Sequence, residues 1–80
     1  MYLRWYFLNK IAPADWRTQV RIFEGFGCTF VRQKGDHLIF HHPDAKRAVV
    51  IPRYDEIPVT VILNNMKTVG MSREEYLERL

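Results

Sequence analysis

Alternating apolar positions in the middle of the chain predict a three-stranded antiparallel sheet. The predicted strands cover residues 28–34, 37–42 and 47–51, and all three are rich in β-branched or aromatic side chains. Gly35 and Asp36 supply turn residues between the first two strands, and a turn beginning at Pro43 separates the second strand from the third. Because links this short join neighbouring antiparallel strands, the pattern indicates a meander.

A helix is predicted before the sheet. Trp16, Val20 and Phe23 recur at helical spacing, which gives the segment one apolar face. Asp15 is a candidate N-cap for this helix, and Gly27 is expected to end it. In this interpretation Trp16 is an anchor of the core.

Two more helices are predicted after the sheet. Pro58 suits the first turn of the earlier one, which should end at Gly70, and Ser72 with Glu75 forms a capping box that starts the last helix. The residues expected to pack inward are Val59, Ile62, Leu63, Met66, Val69, Tyr76, Leu77 and Leu80. The order αβββα predicts an α+β fold in which a three-stranded antiparallel sheet packs against helices, as in double-stranded-RNA-binding domains.

Composition indicates one small globular domain. The chain has 80 residues, 48% of them hydrophobic, with no repeat or linker, so we expect a core of residues 10–80 with residues 1–9 as an extension. That apolar extension is shorter than the roughly 20 residues that cross a bilayer and lacks the pattern of a secretory signal. It suits either an added edge strand or an unstructured tail, and we expect a cytoplasmic protein.

Cysteine content and charge narrow the chemistry further. Cys28 is the single cysteine, so an internal disulfide is excluded. Its spacing from His41 and His42 matches no strong zinc template, and we therefore expect no metal site. A net charge of +3 permits binding to nucleic acid but is a weak indicator by itself.

The turn between the first two predicted strands carries the candidate chemistry. In a strand, the side chain of His37 points to one face of the sheet and those of Leu38 and Phe40 point to the other. If Leu38 and Phe40 are buried, the imidazole is therefore exposed to solvent. Arg32 and Lys34 share a face of the preceding strand, where their charges suit an anionic substrate. The competing interpretation is a polar strand residue beside solvated charges, and the pattern alone favours it.

A resemblance to a known family changes that balance. Residues 30–40, Phe-Val-Arg-Gln-Lys-Gly-Asp-His-Leu-Ile-Phe, resemble the strand-turn-strand motif of HicA-type toxins. Residues 49–52 resemble the third strand of that family and residues 70–77 its closing helix, and the likeness extends over residues 16–80. The sequence departs from the family at Asp36, where serine is frequent, and residues 1–9 have no counterpart.

The resemblance implies the toxin of a type II toxin–antitoxin system, an endoribonuclease that cleaves messenger RNA without a metal ion or small-molecule cofactor. It also implies a HicB-type antitoxin as the inhibiting partner. His37 falls at the family's catalytic position, where a neutral imidazole can take the proton of a ribose 2′-hydroxyl. We expect Arg32, Lys34, Gly35 and Arg47 to contact the RNA, the glycine through a close backbone approach.

Other functions remain consistent with the sequence. A non-catalytic RNA-binding module of the same fold would bind RNA without cleaving it, and an interaction protein would retain only the surface for an antitoxin. His41 shares a strand face with His37 and is a candidate for the acid that protonates the leaving 5′-oxygen. The resemblance gives no role to His41 or His42, and adjacent histidines at a strand end are most often solvated.

Overall fold

A computed structural model describes residues 10–80. In this part of the chain the elements are α1 (Trp16–Gly25), β1 (Thr29–Lys34), β2 (His37–His41), β3 (Val49–Pro52), α2 (Val59–Val69) and α3 (Arg73–Arg79). The strands form one antiparallel sheet in the order β1-β2-β3. The predicted α+β fold, with the αβββα order of double-stranded-RNA-binding domains, is confirmed. The edge strand or tail suggested for residues 1–9 lies outside the described residues.

The helices cover one face of the sheet and leave the other open. Side chains at alternate positions of β2 and β3 enter the core, where Leu38, Phe40, Val49 and Ile51 meet Ile22, Phe23, Ile62, Met66 and Tyr76 from the helices. Helices α1 and α2 both contact β3, and α3 contacts α1. Burial of these apolar side chains is the main favourable term in folding.

A β-bulge in β1 decides which of its side chains reach the open face. Phe30 pairs with Phe40, but the next paired residue is Arg32, opposite Ile39, so Val31 is an extra residue in β1. Directly opposite residues share a face of the sheet. Phe30 therefore lies on the core side, its ring 5.6 Å from that of Phe40, whereas Arg32 lies on the open face. Strict alternation would have placed Phe30 and Arg32 on the same face.

Two polar side chains take places in the core that apolar spacing does not reveal. Gln19 is 1% exposed, and its Nε2 donates a hydrogen bond of 2.7 Å to the Tyr76 hydroxyl, which joins α1 to α3. Asn65 is also buried, and its Nδ2 donates to the Val50 carbonyl oxygen at 3.0 Å. This second bond fastens α2 to the free edge of β3.

Helix ends follow the predicted signals closely. Asp15 caps α1 by accepting a hydrogen bond of 2.9 Å from the Thr18 backbone N–H. Ser72 and Glu75 form both bonds of the capping box of α3. Gly70 ends α2 with a φ of 73°, a left-handed conformation that favours glycine.

Several details of the sequence interpretation are wrong, and the strand bounds 28–34 and 37–42 are each one residue too long. Strand β3 begins at Val49 instead of residue 47 and ends at Pro52, one residue beyond its predicted end. Pro58 is the N-cap of α2, one position before its first turn. Leu63 and Leu80, both predicted to pack inward, are 36% and 58% exposed. The buried face of α2 includes Asn65 instead of Leu63.

Candidate active site

His37 begins β2 on the open face of the sheet. It lies directly opposite Lys34 of β1 and Pro52 of β3, and its side chain is exposed while that of Leu38 is buried. The turn before it needs Gly35, whose φ is 58°. The side-chain amide of Gln33 donates to the Gly35 carbonyl oxygen at 2.9 Å, which fixes the turn. The predicted orientation of the imidazole is therefore observed.

A cleft of about 590 Å³ lies along the free edge of β3, between this strand and α2, with His37 of the open face in its wall. Its sheet side includes Val50 and its helix side includes Asn64 and Thr68. Tyr54, which follows β3, also lines it. The volume falls within the range of small-ligand sites, and the lining combines apolar surface with hydrogen-bonding groups.

The predicted RNA-binding residues lie on the same side of the molecule. Arg47 lines the cleft together with His37. Lys34 is the strand partner of His37, and Arg32, two positions earlier in β1, is exposed on the same face. Gly35 lies in the connecting turn. The fold thus places Lys34 directly opposite His37 and Arg47 in the wall of the same cleft, at the end of β3 away from His37, while Lys34 and Arg32 lie outside the cleft lining.

His41 is on the face of His37 but at the other end of β2. It lies opposite Thr29 and is exposed. Four residues along a strand correspond to about 13 Å. A single phosphodiester group held at His37 is too far from His41 for a direct proton transfer. The candidate general acid is therefore not placed for that role.

His42 is a structural residue, contrary to the expectation that it is solvated. It is 6% exposed and stacks on the Phe26 ring at 5.6 Å between centroids. The backbone N–H of Asp44 donates to His42 Nδ1 at 3.1 Å, which leaves Nε2 as the protonated nitrogen, 3.2 Å from the Phe26 carbonyl oxygen. Gly27 is close to the same ring: a Cβ there would lie 3.4 Å from Nε2.

Cys28 has the properties of a core residue. Burial raises the pKa of its thiol to about 11, and the negative charge of Glu24 adds to the shift. The group is therefore a neutral thiol at neutral pH, a poor nucleophile and a poor metal ligand. Within residues 10–80, no group of three or more His, Cys, Asp or Glu side chains is placed to hold a metal ion. No helix in that part of the chain is long and apolar enough to span a membrane.

Sequence reasoning missed a cluster of cations and an aromatic ring beside the cleft. The Cζ atoms of Arg17 and Arg53 lie 4.6 and 4.7 Å from the centroid of the Trp16 ring. We refer to these three residues as the arginine–tryptophan stack. Trp16 is half-buried against the core, as expected of an anchor, but no sequence pattern indicates its second role. Only Arg17 is its neighbour in sequence.

Together, the fold and the site define a class: a small α+β domain of double-stranded-RNA-binding type with an exposed histidine beside a cleft and cations around it. A family model described as "HicA toxin of bacterial toxin-antitoxin" matches residues 16–71, from the start of α1 to just beyond the end of α2. The chain belongs to this family and is the toxin of a toxin–antitoxin system. No curated protein matches its sequence.

Proposed function

We propose that this toxin is a metal-independent endoribonuclease that cleaves messenger RNA, with His37 as its catalytic residue. The observation that carries the proposal is the position of His37, exposed in the wall of a cleft that also holds Arg47, with Lys34 directly opposite it in β1. An exposed imidazole with a cation directly opposite it and another in the same cleft suits a reaction at a phosphodiester.

In the proposed reaction, His37 removes the proton from a ribose 2′-hydroxyl, and the 2′-oxygen attacks the adjacent phosphorus atom. The bond from phosphorus to the 5′-oxygen breaks, and that oxygen takes a proton from solvent. The products carry a 2′,3′-cyclic phosphate and a 5′-hydroxyl. Lys34 stabilises the charge on the pentavalent phosphorus, Arg47 binds a neighbouring phosphate in the same cleft, and these proton transfers require no metal ion.

The remaining predicted contacts fit the same RNA path. Arg32 lies two positions before Lys34 in β1, on the open face, and would bind a neighbouring phosphate. The turn at Gly35 lets the RNA backbone come close to the protein backbone. Because messenger RNA is the substrate, we propose that the toxin acts in the cytoplasm. Its antitoxin is of the HicB type and inhibits it by covering the open face and His37.

Growth and RNA integrity after induced expression test this proposal. Wild-type protein should arrest growth and degrade messenger RNA, whereas His37→Ala should do neither, because loss of a general base lowers the rate by about 10²-fold or more. His41→Ala is the matched control, since it removes an exposed histidine from the same face of the same strand. It should remain toxic.

Purified protein separates cleavage from simple binding. A folded His37→Ala variant that still degrades RNA would contradict the catalytic role of His37. Wild-type protein that binds RNA without cleaving it, and binds equally well as His37→Ala, would instead identify a non-catalytic RNA-binding module. Binding to an antitoxin with neither RNA binding nor cleavage would identify an interaction protein.

A further inference from the structure

We propose that the arginine–tryptophan stack is a second RNA-binding site, which holds a phosphate of the single-stranded chain that flanks the nucleotide in the cleft. The inference rests on the proposed function, because it assumes that RNA occupies the cleft. It extends that function by making the substrate a single strand that contacts the protein at two separate places.

The stack presents two guanidinium groups that are already held in position. Their Cζ atoms lie 4.6 and 4.7 Å from the same indole centroid, and both arginine side chains are exposed. A guanidinium group stacked on an aromatic ring keeps its N–H groups available for an anion. Because the ring already restricts these long side chains, binding a phosphate costs less conformational entropy than it would at free arginines.

Arg21 and Arg79 use their N–H groups internally. Arg21 donates to the carbonyl oxygens of Arg79 and Leu80 at 2.6 and 3.2 Å, and Arg79 donates to the carbonyl oxygen of Glu75 at 2.8 Å. These bonds tie the C-terminal residues to α1. Within residues 10–80, the guanidinium groups of Arg17 and Arg53 contact the indole ring and donate to no carbonyl or carboxylate oxygen, so their N–H groups are available to a ligand.

The charge of the stack also favours an anion. Two cations on one indole repel each other, and an anion bound to both would offset that repulsion. Asp15 and Asp55 are the carboxylates nearest in sequence to Arg17 and Arg53, each two positions away, and the pKa of Asp15 is lowered. Hydrogen bonds from Thr18 lower its pKa most, and the charge of Arg17 adds to the shift. Since Asp15 is engaged with the N-terminus of α1, it offsets only part of the charge of Arg17.

The stack is joined to the site of His37 by backbone hydrogen bonds. The N–H of Arg53 donates to the Asp36 carbonyl oxygen at 2.7 Å, in the turn that precedes His37. The N–H of Trp16 donates to the carbonyl oxygen of Tyr54 at 3.1 Å, and Tyr54 lines the cleft. An RNA strand that leaves the cleft past Tyr54 therefore reaches Arg53 next. This continuity favours RNA over an acidic segment of a protein partner.

Salt-dependent binding tests the inference without relying on cleavage. In a His37→Ala background, Arg17→Ala with Arg53→Ala should weaken binding of a labelled single-stranded RNA. The magnitude of the slope of log affinity against log salt should fall by about 0.7 for each phosphate that the variant no longer binds. The matched control is Lys67→Ala with Arg73→Ala, which removes two exposed cations of α2 and α3 outside the cleft lining. It should change the slope less.

Substrate length and fluorescence give two further readings. With His37 intact, the stack variant should cleave a dinucleotide at the wild-type rate and a longer RNA more slowly, since only the longer RNA reaches the stack. In a Trp5→Phe, His37→Ala protein, Trp16 is the single tryptophan, and its emission should change when the longer RNA binds.

Equal slopes for the stack and control variants, or loss of antitoxin binding with RNA binding unchanged, would overturn the inference. Failure of the proposed function looks different: wild-type protein would leave every RNA intact, while the binding comparison would still report on the stack. The salt-slope measurement thus tests the role of the stack, and the cleavage measurement tests the proposed function, independently of each other.

Discussion

His41 and His42 are neighbours in sequence but have different surroundings, because successive residues of an extended segment point to opposite sides. His41 faces solvent on the open face, and His42 is buried against Phe26 with both ring nitrogens engaged. At the residue scale, side-chain type therefore says little about role. The three histidines serve as a proposed catalyst, a surface residue and a structural link.

This contrast predicts different stabilities for two adjacent substitutions. His42→Ala should lower the free energy of unfolding by about 2 kcal/mol, because it removes a buried ring and leaves the Asp44 N–H and the Phe26 carbonyl without their partner. His41→Ala should change that free energy by less than about 0.5 kcal/mol. Urea denaturation of both variants measures the difference, and equal midpoints would show that the His42 contacts contribute nothing.

At the element scale, local signals predict where helices and turns begin and end. Capping residues and glycines act within a few positions of themselves, so Asp15, Ser72 and Gly70 could be interpreted from the sequence. Contacts between residues far apart in the chain could not be predicted in this way. Gln19 is buried because it meets Tyr76, 57 positions away in the chain. The same applies to the stack, in which Arg53 follows the last strand and Trp16 precedes the first.

Strand alternation predicts the orientation of His37 but not the bulge in β1. The faces of β2 follow from its two buried apolar residues, whereas Val31 is apolar and yet exposed. Nothing in the local pattern marks it as the extra residue. The bulge lets Phe30 pack on Phe40 while Arg32 and Lys34 both remain on the face of His37. The candidate site thus depends on a feature that only the folded sheet defines.

The start of α3 predicts a specific dependence of stability on pH. The Ser72 backbone N–H donates to Glu75 Oε1 at 2.8 Å, and this bond is the main reason that the pKa of Glu75 is lowered from 4.5. A lowered pKa stabilises the fold above the unfolded-state value, and this contribution is lost as pH falls through the folded-state value. We expect Glu75→Gln to be less stable than wild type at pH 7.

That difference between Glu75→Gln and wild type should shrink as the pH is lowered below 4.5, because the wild-type carboxylate then becomes protonated while the glutamine is unaffected. Thermal unfolding of both proteins across this range provides the measurement. A difference that stays constant down to the lowest pH would show that the charge of Glu75 does not stabilise the cap.

At the scale of the whole molecule, stability and proposed function lie on opposite faces of one sheet. The helices bury the face with Leu38 and Phe40, and the open face carries His37 and the cations around it. Substitutions on the open face should therefore change activity with little effect on folding. The same separation gives an antitoxin a surface that it can cover without disturbing the core.

The most direct test of the account is cleavage of a synthetic RNA by purified toxin in EDTA, compared with the same RNA carrying one 2′-deoxyribose at the cleavage position. We expect the all-ribose RNA to be cut to a 2′,3′-cyclic phosphate and a 5′-hydroxyl, the substituted RNA to stay intact at that position, and His37→Ala to cut neither. Cleavage at the 2′-deoxyribose, or cleavage that requires a divalent ion, would contradict proton removal by His37 from the ribose hydroxyl.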